Sequence, residues 1–507
     1  MNIRDAKQEI KNTLRAYHRR DSAGRCLFPA VRQRPILLMG PPGIGKTAIL
    51  EQAAAEAGVG LVSYTMTHHT RQSAIGLPHI ESRTFQGREF QVTEYTLSEI
   101  VASVYACMER TGQQEGILFI DEINCVSETL APTMLQFLQN KTFGSHKIPD
   151  GWLIVAAGNP PGYNRSVREF DVVTLDRVRE IDIEADLAVW MDYARQKRVH
   201  GAILSYLTIH EDQFYQVRQT PAGASFVTAR GWEDLSELLQ GYEALGLPVT
   251  EAQVGQYLRN EDTARGFAGY YRLYRKYGEA YGIPELLDGT AADLSEQAAL
   301  ARSGSFDERF TVVNLVLDSL NGWFFRARQS DRAVSALHGA LSAFRLFLRD
   351  REDCECLEAF LQGRRDALRV KETAGLLTQE ALADETWVLE RLETYRLELL
   401  AGHVRDKEAG FSRLKTLFQQ EVDSRAGLVE AVRGRLDRAF SFLAEAFGDG
   451  QEMILFVSAL TRGDAAMDFI SLHGCGAYLQ YSGKLLYRER EAELQEACRA
   501  ALEEGGR

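Results

Sequence analysis

Eight consecutive residues, Gly40-Pro41-Pro42-Gly43-Ile44-Gly45-Lys46-Thr47, have the types and spacing to hold a polyphosphate. Glycines at this spacing let backbone N–H groups turn into one concavity and let a phosphate approach the main chain. Lys46 would bring positive charge to the β- and γ-phosphates of ATP, and the Thr47 hydroxyl would complete a Mg2+ shell. Two more places carry matching chemistry. Asp121-Glu122 is a pair of adjacent carboxylates: Asp121 would hold Mg2+, directly or through water, and Glu122 would polarise the attacking water. Asn159 is an uncharged donor and acceptor that would position that water against the γ-phosphate.

These groups need elements that bring them together. The apolar run Ile36-Leu37-Leu38-Met39 ends at Gly40, and Ala48 to Glu56 is a good helix sequence, giving strand, loop and helix. The helix N-terminus, with Ala48 in its first turn, adds unpaired N–H groups and partial positive charge. Gly116-Ile117-Leu118-Phe119-Ile120 is an apolar strand that stops at Asp121, and Trp152-Leu153-Ile154-Val155-Ala156-Ala157 is another that stops at Gly158-Asn159. A strand without a polar face is buried on both sides, as in a parallel sheet covered by helices. Such sheets bind ligands at the carboxyl ends of their strands, where all three groups fall. Residues 60–66 read as another strand and 175–183 as a basic turn into a short one. Strands alternating with helices to about residue 184 predict a doubly wound parallel α/β core.

Two hairpins are expected, one around Phe85 to Val92 and one from Asn140 to Pro149. From Asp186 onward the pattern reads as helical. A helix opens at Thr228, which is suited to capping it, and residues 249–281 form a helical, tyrosine-rich stretch whose tyrosines read as a packing stripe. All twelve prolines lie at or before Pro284. Stripes such as Val429, Val432, Leu436, Phe440 and Leu443, spaced three and four apart, make residues 285–507 all-helical. The division expected is therefore 1–184 for the nucleotide-binding core with its N-terminal helix, 185–284 for a helical lid and linker helices, and 285–507 for an all-helical C-terminal domain. His68-His69 invites a metal reading, but neighbours on an extended segment point to opposite faces. Seven thinly spread cysteines read as reduced thiols, and Cys354 and Cys356 have no second pair to complete a tetrahedral site.

A net charge of −13 repels a nucleic-acid backbone overall. No run approaches the roughly 20 apolar residues of a membrane helix, and no leader sequence is evident, so a cytoplasmic protein is expected.

With its motifs in this order, the chain resembles the AAA+ ATPases and, within them, the MoxR-type branch. The residues responsible are Gly40 to Thr47, Ile120-Asp121-Glu122-Ile123-Asn124, Ala157-Gly158-Asn159-Pro160, Leu175-Asp176-Arg177 and Thr228-Ala229-Arg230. The resemblance implies an α/β P-loop domain with a parallel sheet and helical lid, ATP and Mg2+ as cofactors, Asn159 as sensor 1, Arg177 as the trans-acting arginine finger with Arg179 as its alternative, and Arg230 as the sensor 2 arginine. It also implies a homo-oligomeric ring, usually a hexamer, a von Willebrand factor A domain partner, and remodelling or maturation of a protein. A nucleic-acid-translocating motor and a nucleotide-gated scaffold with little hydrolysis are the alternatives. No resemblance extends beyond about residue 280.

Overall fold

In a computed structural model, the described residues are 1–484 apart from 23–26, 30–31, 67–75, 127–129, 144–145, 162, 164–166, 168–169, 221–222, 291–293, 352, 354–355 and 374–376. His68, His69 and Cys354 lie outside them. The chain divides into two compact units. The first comprises Met1–Trp190, Phe214–Trp232 and Leu361–Glu385, and the second Met191–Gln213, Glu233–Phe360 and Thr386–Arg507.

The first unit opens with helix α1 (Ile3–Tyr17), whose N-cap Asn2 accepts a hydrogen bond from the Asp5 N–H. There follow β1 (Ile36–Met39), α2 (Lys46–Ala57), β2 (Gly60–Thr65), the hairpin β3 (Pro78–Phe85) and β4 (Arg88–Tyr95), α3 (Glu99–Thr111), β5 (Gly116–Asp121), α4 (Ala131–Asn140), the short hairpin β6 (Thr142–Phe143) and β7 (His146–Lys147), β8 (Trp152–Gly158), α5 (Val172–Leu175) and β9 (Arg179–Asp182). Five strands form one sheet in the order β2-β5-β8-β1-β9, and all its pairings are parallel. This is the parallel α/β core that the alternation of strands and helices predicts.

The sheet is covered on both faces, which is why its strands lack a polar face. Ile117, Phe119, Leu153 and Val155 pack with Ala6, Ile10 and Leu14 of α1 and Ile49, Leu50 and Ala53 of α2. The alternate residues, Leu118, Ile120, Ile154 and Ala156, pack with Ile100, Val101 and Val104 of α3 and Met134, Phe137 and Leu138 of α4. Successive side chains of a strand point to opposite faces, so each apolar strand feeds two cores at once.

The structure departs from the sequence reading in three places. The first hairpin is longer than expected, with Pro78 opposite Tyr95 and a Gln86-Gly87 turn at positive φ (50° and 79°), the two-residue geometry that suits a twisted hairpin. The segment after Asp186 is not wholly helical. α6 (Leu187–Gln196) and α7 (Gly201–Ile209) are followed by an antiparallel hairpin, β10 (Gln216–Thr220) and β11 (Gly223–Val227), before α8 (Ala229–Ala244). Its strands are short, the first mostly polar and the second with adjacent Phe226 and Val227, so no apolar alternation advertises them. The tyrosine-rich stretch is two helices, α9 (Glu251–Tyr257) and α10 (Glu261–Tyr281), separated at Asn260, whose side chain caps the second by accepting from the Thr263 N–H at 3.0 Å. Tyr271, Tyr274 and Tyr281 are buried, as a packing stripe requires.

Among the described residues the rest of the chain is helical except for one isolated bridge, Asp353 to Asp406. It runs through α11 (Ile283–Asp288), α12 (Leu294–Ser303), α13 (Phe306–Phe347), α14 (Leu357–Thr373), α15 (Gln379–Ala401), α16 (Lys407–Phe447), α17 (Gln451–Arg462) and α18 (Asp464–His473). Tyr281 and Ile283 share a buried core with Val312, Val316 and Leu320 of α13 and Val432, Leu436 and Leu443 of α16. The expected boundary between residues 284 and 285 thus falls within the second compact unit. No helix among the described residues is long and apolar enough to cross a membrane.

Candidate nucleotide site

The register of the sheet assembles the site. Met39 pairs with Gly158 and Ile120 with Ala156, so the Gly40 loop, Asp121-Glu122 and Asn159 leave three adjacent parallel strands at the same edge. Gly43 and Gly45 hold φ of 73° and 96°, the left-handed region that only glycine enters without strain. At Gly45 this turns the loop into the first residue of α2.

Lys46 lies across the loop. Its Nζ donates to the Gly40 carbonyl at 2.7 Å, the Pro41 carbonyl at 2.9 Å and Asn159 Oδ1 at 3.0 Å. Burial pushes its pKa down to about 8; the carboxylates of Asp121 and Glu122 work against that shift, and Arg230 adds to it. Thr47 Oγ1 donates to Asp121 Oδ2 at 3.3 Å, which brings together two oxygens of the kind a hard cation takes. The Glu122 N–H donates to Asp121 Oδ1 at 2.9 Å, and Glu122 itself sits at φ 56°, an uncommon backbone for a residue with a side chain. Strained backbone of this kind clusters at functional sites.

Residues 214–232 belong to the same compact unit and hold the loop by its carbonyls. Tyr215 Oη donates to the Pro42 carbonyl at 2.8 Å, and the Arg230 N–H, in the first turn of α8, donates to the Gly43 carbonyl at 3.2 Å. Thr228 caps that helix as expected, accepting from the Gly231 N–H at 3.1 Å. The Arg230 side chain is exposed, yet close enough for its charge to act on Lys46. Sequence reasoning missed Tyr215, because a single tyrosine before a polar strand carries no periodic or motif signal.

Arg177 and Arg179 separate cleanly. Arg179 pairs in register with Ile36, at the start of the edge strand β9, and Arg177 lies two residues earlier. Both are therefore at the opposite end of the strands from Gly40. Arg179 donates from Nη1 to Thr13 Oγ1 at 2.8 Å and forms an ion pair with Glu9, both on α1. The Arg177 side chain is exposed, makes no hydrogen bond or ion pair among the described residues, and acts electrostatically on Asp171, while its backbone N–H donates to the Thr174 carbonyl at 3.0 Å. Next to it, Val172 and Val173 are 81% and 55% exposed, an apolar pair on the same turn of chain.

Among the described residues, one group outside the loop could offer ligands to a cation: His79, Glu81 and Glu94 on the first hairpin. Arg83 already pairs with Glu81 at 3.2 Å and with Glu94, so these carboxylates have their counter-charge.

Fold and site together define a P-loop nucleotide-binding α/β domain. Residues 36–174 match the family described as "ATPase family associated with various cellular activities (AAA)". That span contains Gly40 to Ala48, Asp121, Glu122 and Asn159 and ends before Arg177 and Arg230. No curated protein matches the chain. Among solved structures it is similar to a "putative ATPase" from Cytophaga hutchinsonii, at 14% identity and a TM-score of 0.24, over 38% of this chain and 50% of that one. The match thus spans half the length of that protein.

Proposed function

We propose that the protein is a Mg2+-dependent ATPase of MoxR type that works as a homo-oligomeric ring and remodels or matures a protein partner. The observation that carries the hydrolytic part is the convergence on Lys46. Its ammonium touches both the phosphate loop and Asn159 Oδ1, while Thr47 and Asp121 meet 3.3 Å apart beside it. Backbone N–H groups of residues 43–48 would cradle the phosphates, and Lys46 would neutralise the β- and γ-oxygens. Thr47 and Asp121 would hold Mg2+, which supplies charge neutralisation on those oxygens. Glu122 would take the proton of the attacking water, Asn159 would orient that water, and Arg230 would bring a second cation from the start of α8.

A ring is favoured by Arg177. An exposed guanidinium at the far end of the strands cannot serve its own phosphate loop, and Arg179 is committed to α1. Proteins with a von Willebrand factor A domain are the partner class we propose. The test is ATP turnover with and without Mg2+ and with and without DNA. Turnover that needs Mg2+ and ignores DNA supports this reading. Strong, salt-sensitive stimulation by DNA would replace it with a nucleic-acid motor, and nucleotide binding without turnover would replace it with a scaffold.

A further inference from the structure

We propose that Asn124 is a positioning residue for ATP hydrolysis, clamping the turn that carries Glu122 to the backbone of Asn159. This rests on the ATPase reading above.

Asn124 sits in a one-turn 3-10 helix, Ile123–Cys125, that directly follows Glu122 and is closed by the Cys125 N–H donating to the Glu122 carbonyl at 2.9 Å. Its side chain reaches the neighbouring strand end. Nδ2 donates to the Asn159 carbonyl at 2.8 Å and Oδ1 accepts from the Asn159 N–H at 3.3 Å, so one amide holds both backbone groups of a single residue. At 2% exposure it is shielded from water. A buried amide paired on both sides is costly to break, because removing it leaves Asn159 with an unpaired donor and acceptor.

The glycine before Asn159 is part of the same device. A Cβ on Gly158 would come within 2.8 Å of Asn124 Oδ1 and 3.0 Å of Met39 Sδ, so only glycine leaves the amide its place. The consequence is mechanical. Glu122 and Asn159 act on the same water from two different strands, and β-sheet pairing stops short of both: the register ends at Ile120 with Ala156. Beyond that point the Asn124 amide is the direct link between the base-bearing turn and the sensor, and Asn159 in turn contacts Lys46. Misplacing a catalytic group by about 1 Å can cost on the order of 100-fold in rate.

The experiment uses the full-length protein in two variants, Asn124→Ala, which removes the clamp, and Gly158→Ala, which displaces it without removing any polar group. Turnover is normalised to molecules competent to bind a fluorescent ATP analogue, so a loss of folded protein does not count. Both variants should lose at least about tenfold in kcat, while analogue affinity stays within about threefold, because Lys46 keeps its bonds to the Gly40 and Pro41 carbonyls and its charge for the phosphates. Wild-type kcat per binding-competent Asn124→Ala molecule would overturn the proposal, as would parallel losses of kcat and affinity. If Asn124→Ala does not fold, Gly158→Ala decides: an unchanged kcat overturns the proposal. A wild-type chain that binds nucleotide without turnover overturns the ATPase reading and this one together; wild-type turnover with unaffected variants overturns this one alone.

Discussion

At Lys46 the chemistry and the burial pull in opposite directions. The ammonium must be charged to attract phosphate, yet burial lowers its pKa to about 8. Phosphate oxygens favour the charged form, so binding takes up a proton wherever Lys46 has lost one. Nucleotide affinity should therefore fall as pH rises through 8, by about tenfold between pH 7 and pH 9 for one proton. Titration with a fluorescent ATP analogue across that range checks it, and Lys46→Arg should flatten the dependence because guanidinium does not titrate there. Lys46→Ala should abolish binding; unchanged affinity in that variant would place the site elsewhere. Glu122→Gln should do the reverse, holding ATP while turnover stalls, since an amide keeps the shape but cannot accept the proton. Normal turnover would remove Glu122 from the mechanism. The same scale explains what sequence reading missed. The roles expected of Lys46, Asp121 and Glu122 come from side-chain type and spacing, which a sequence displays. Tyr215 reaches another segment's backbone through one hydrogen bond, and nothing local marks it; Asn124 stands in the motif Ile120-Asp121-Glu122-Ile123-Asn124, but its bonds to the Asn159 backbone are visible only once the strands are side by side.

Among the elements, legibility followed burial. The strands over Ile36–Met39, Gly116–Asp121 and Trp152–Gly158 were readable because two apolar faces leave an uninterrupted run. The hairpin β10 and β11 was not, since β10 is mostly polar and β11 carries its large apolar residues, Phe226 and Val227, side by side at one end. The second unit hides a further feature inside elements that read only as helices. Asp318 of α13 is fully buried, accepts a hydrogen bond from Tyr274 of α10, and faces the charges of His200 and Arg195. Around it, His200 lies 3.2 Å from Glu243 of α8, and Asn314 donates to Ser205 of α7 at 2.7 Å. Burial raises the Asp318 pKa from 3.8 to about 6. A carboxyl whose folded pKa is raised stabilises the fold below its unfolded pKa, and that contribution is lost as pH climbs through the folded value. Asp318→Asn, which keeps an acceptor for Tyr274, should thus gain on wild type as pH rises, by about 1.4 kcal/mol between pH 5 and pH 8. Denaturation midpoints of both chains at the two pH values measure it. A constant difference would mean that Asp318 titrates normally.

For the whole molecule, the question is whether one chain contains a complete site. The position of Arg177 gives a reason to look to a second copy. It is exposed at the strand-start end of the edge strand, beside the exposed Val172 and Val173, whereas the phosphate loop follows the strand ends. An arginine supplied in trans can contribute about 10³ to 10⁵ in rate by stabilising transition-state charge, while a surface ion pair is worth roughly 0 to 1 kcal/mol in stability. Arg177→Ala should accordingly bind ATP with wild-type affinity and hydrolyse it very slowly. Arg179→Ala should instead loosen α1, whose Thr13 and Glu9 it holds, and lower the melting temperature more than the rate. The decisive measurement mixes Arg177→Ala chains with Lys46→Ala chains, each inactive alone. A joint interface pairs the intact loop of the first with the intact Arg177 of the second, so ATPase activity should partly return, in proportion to the mixed interfaces formed. Activity that stays absent in the mixture while the two chains co-assemble would show that Arg177 serves no neighbouring site.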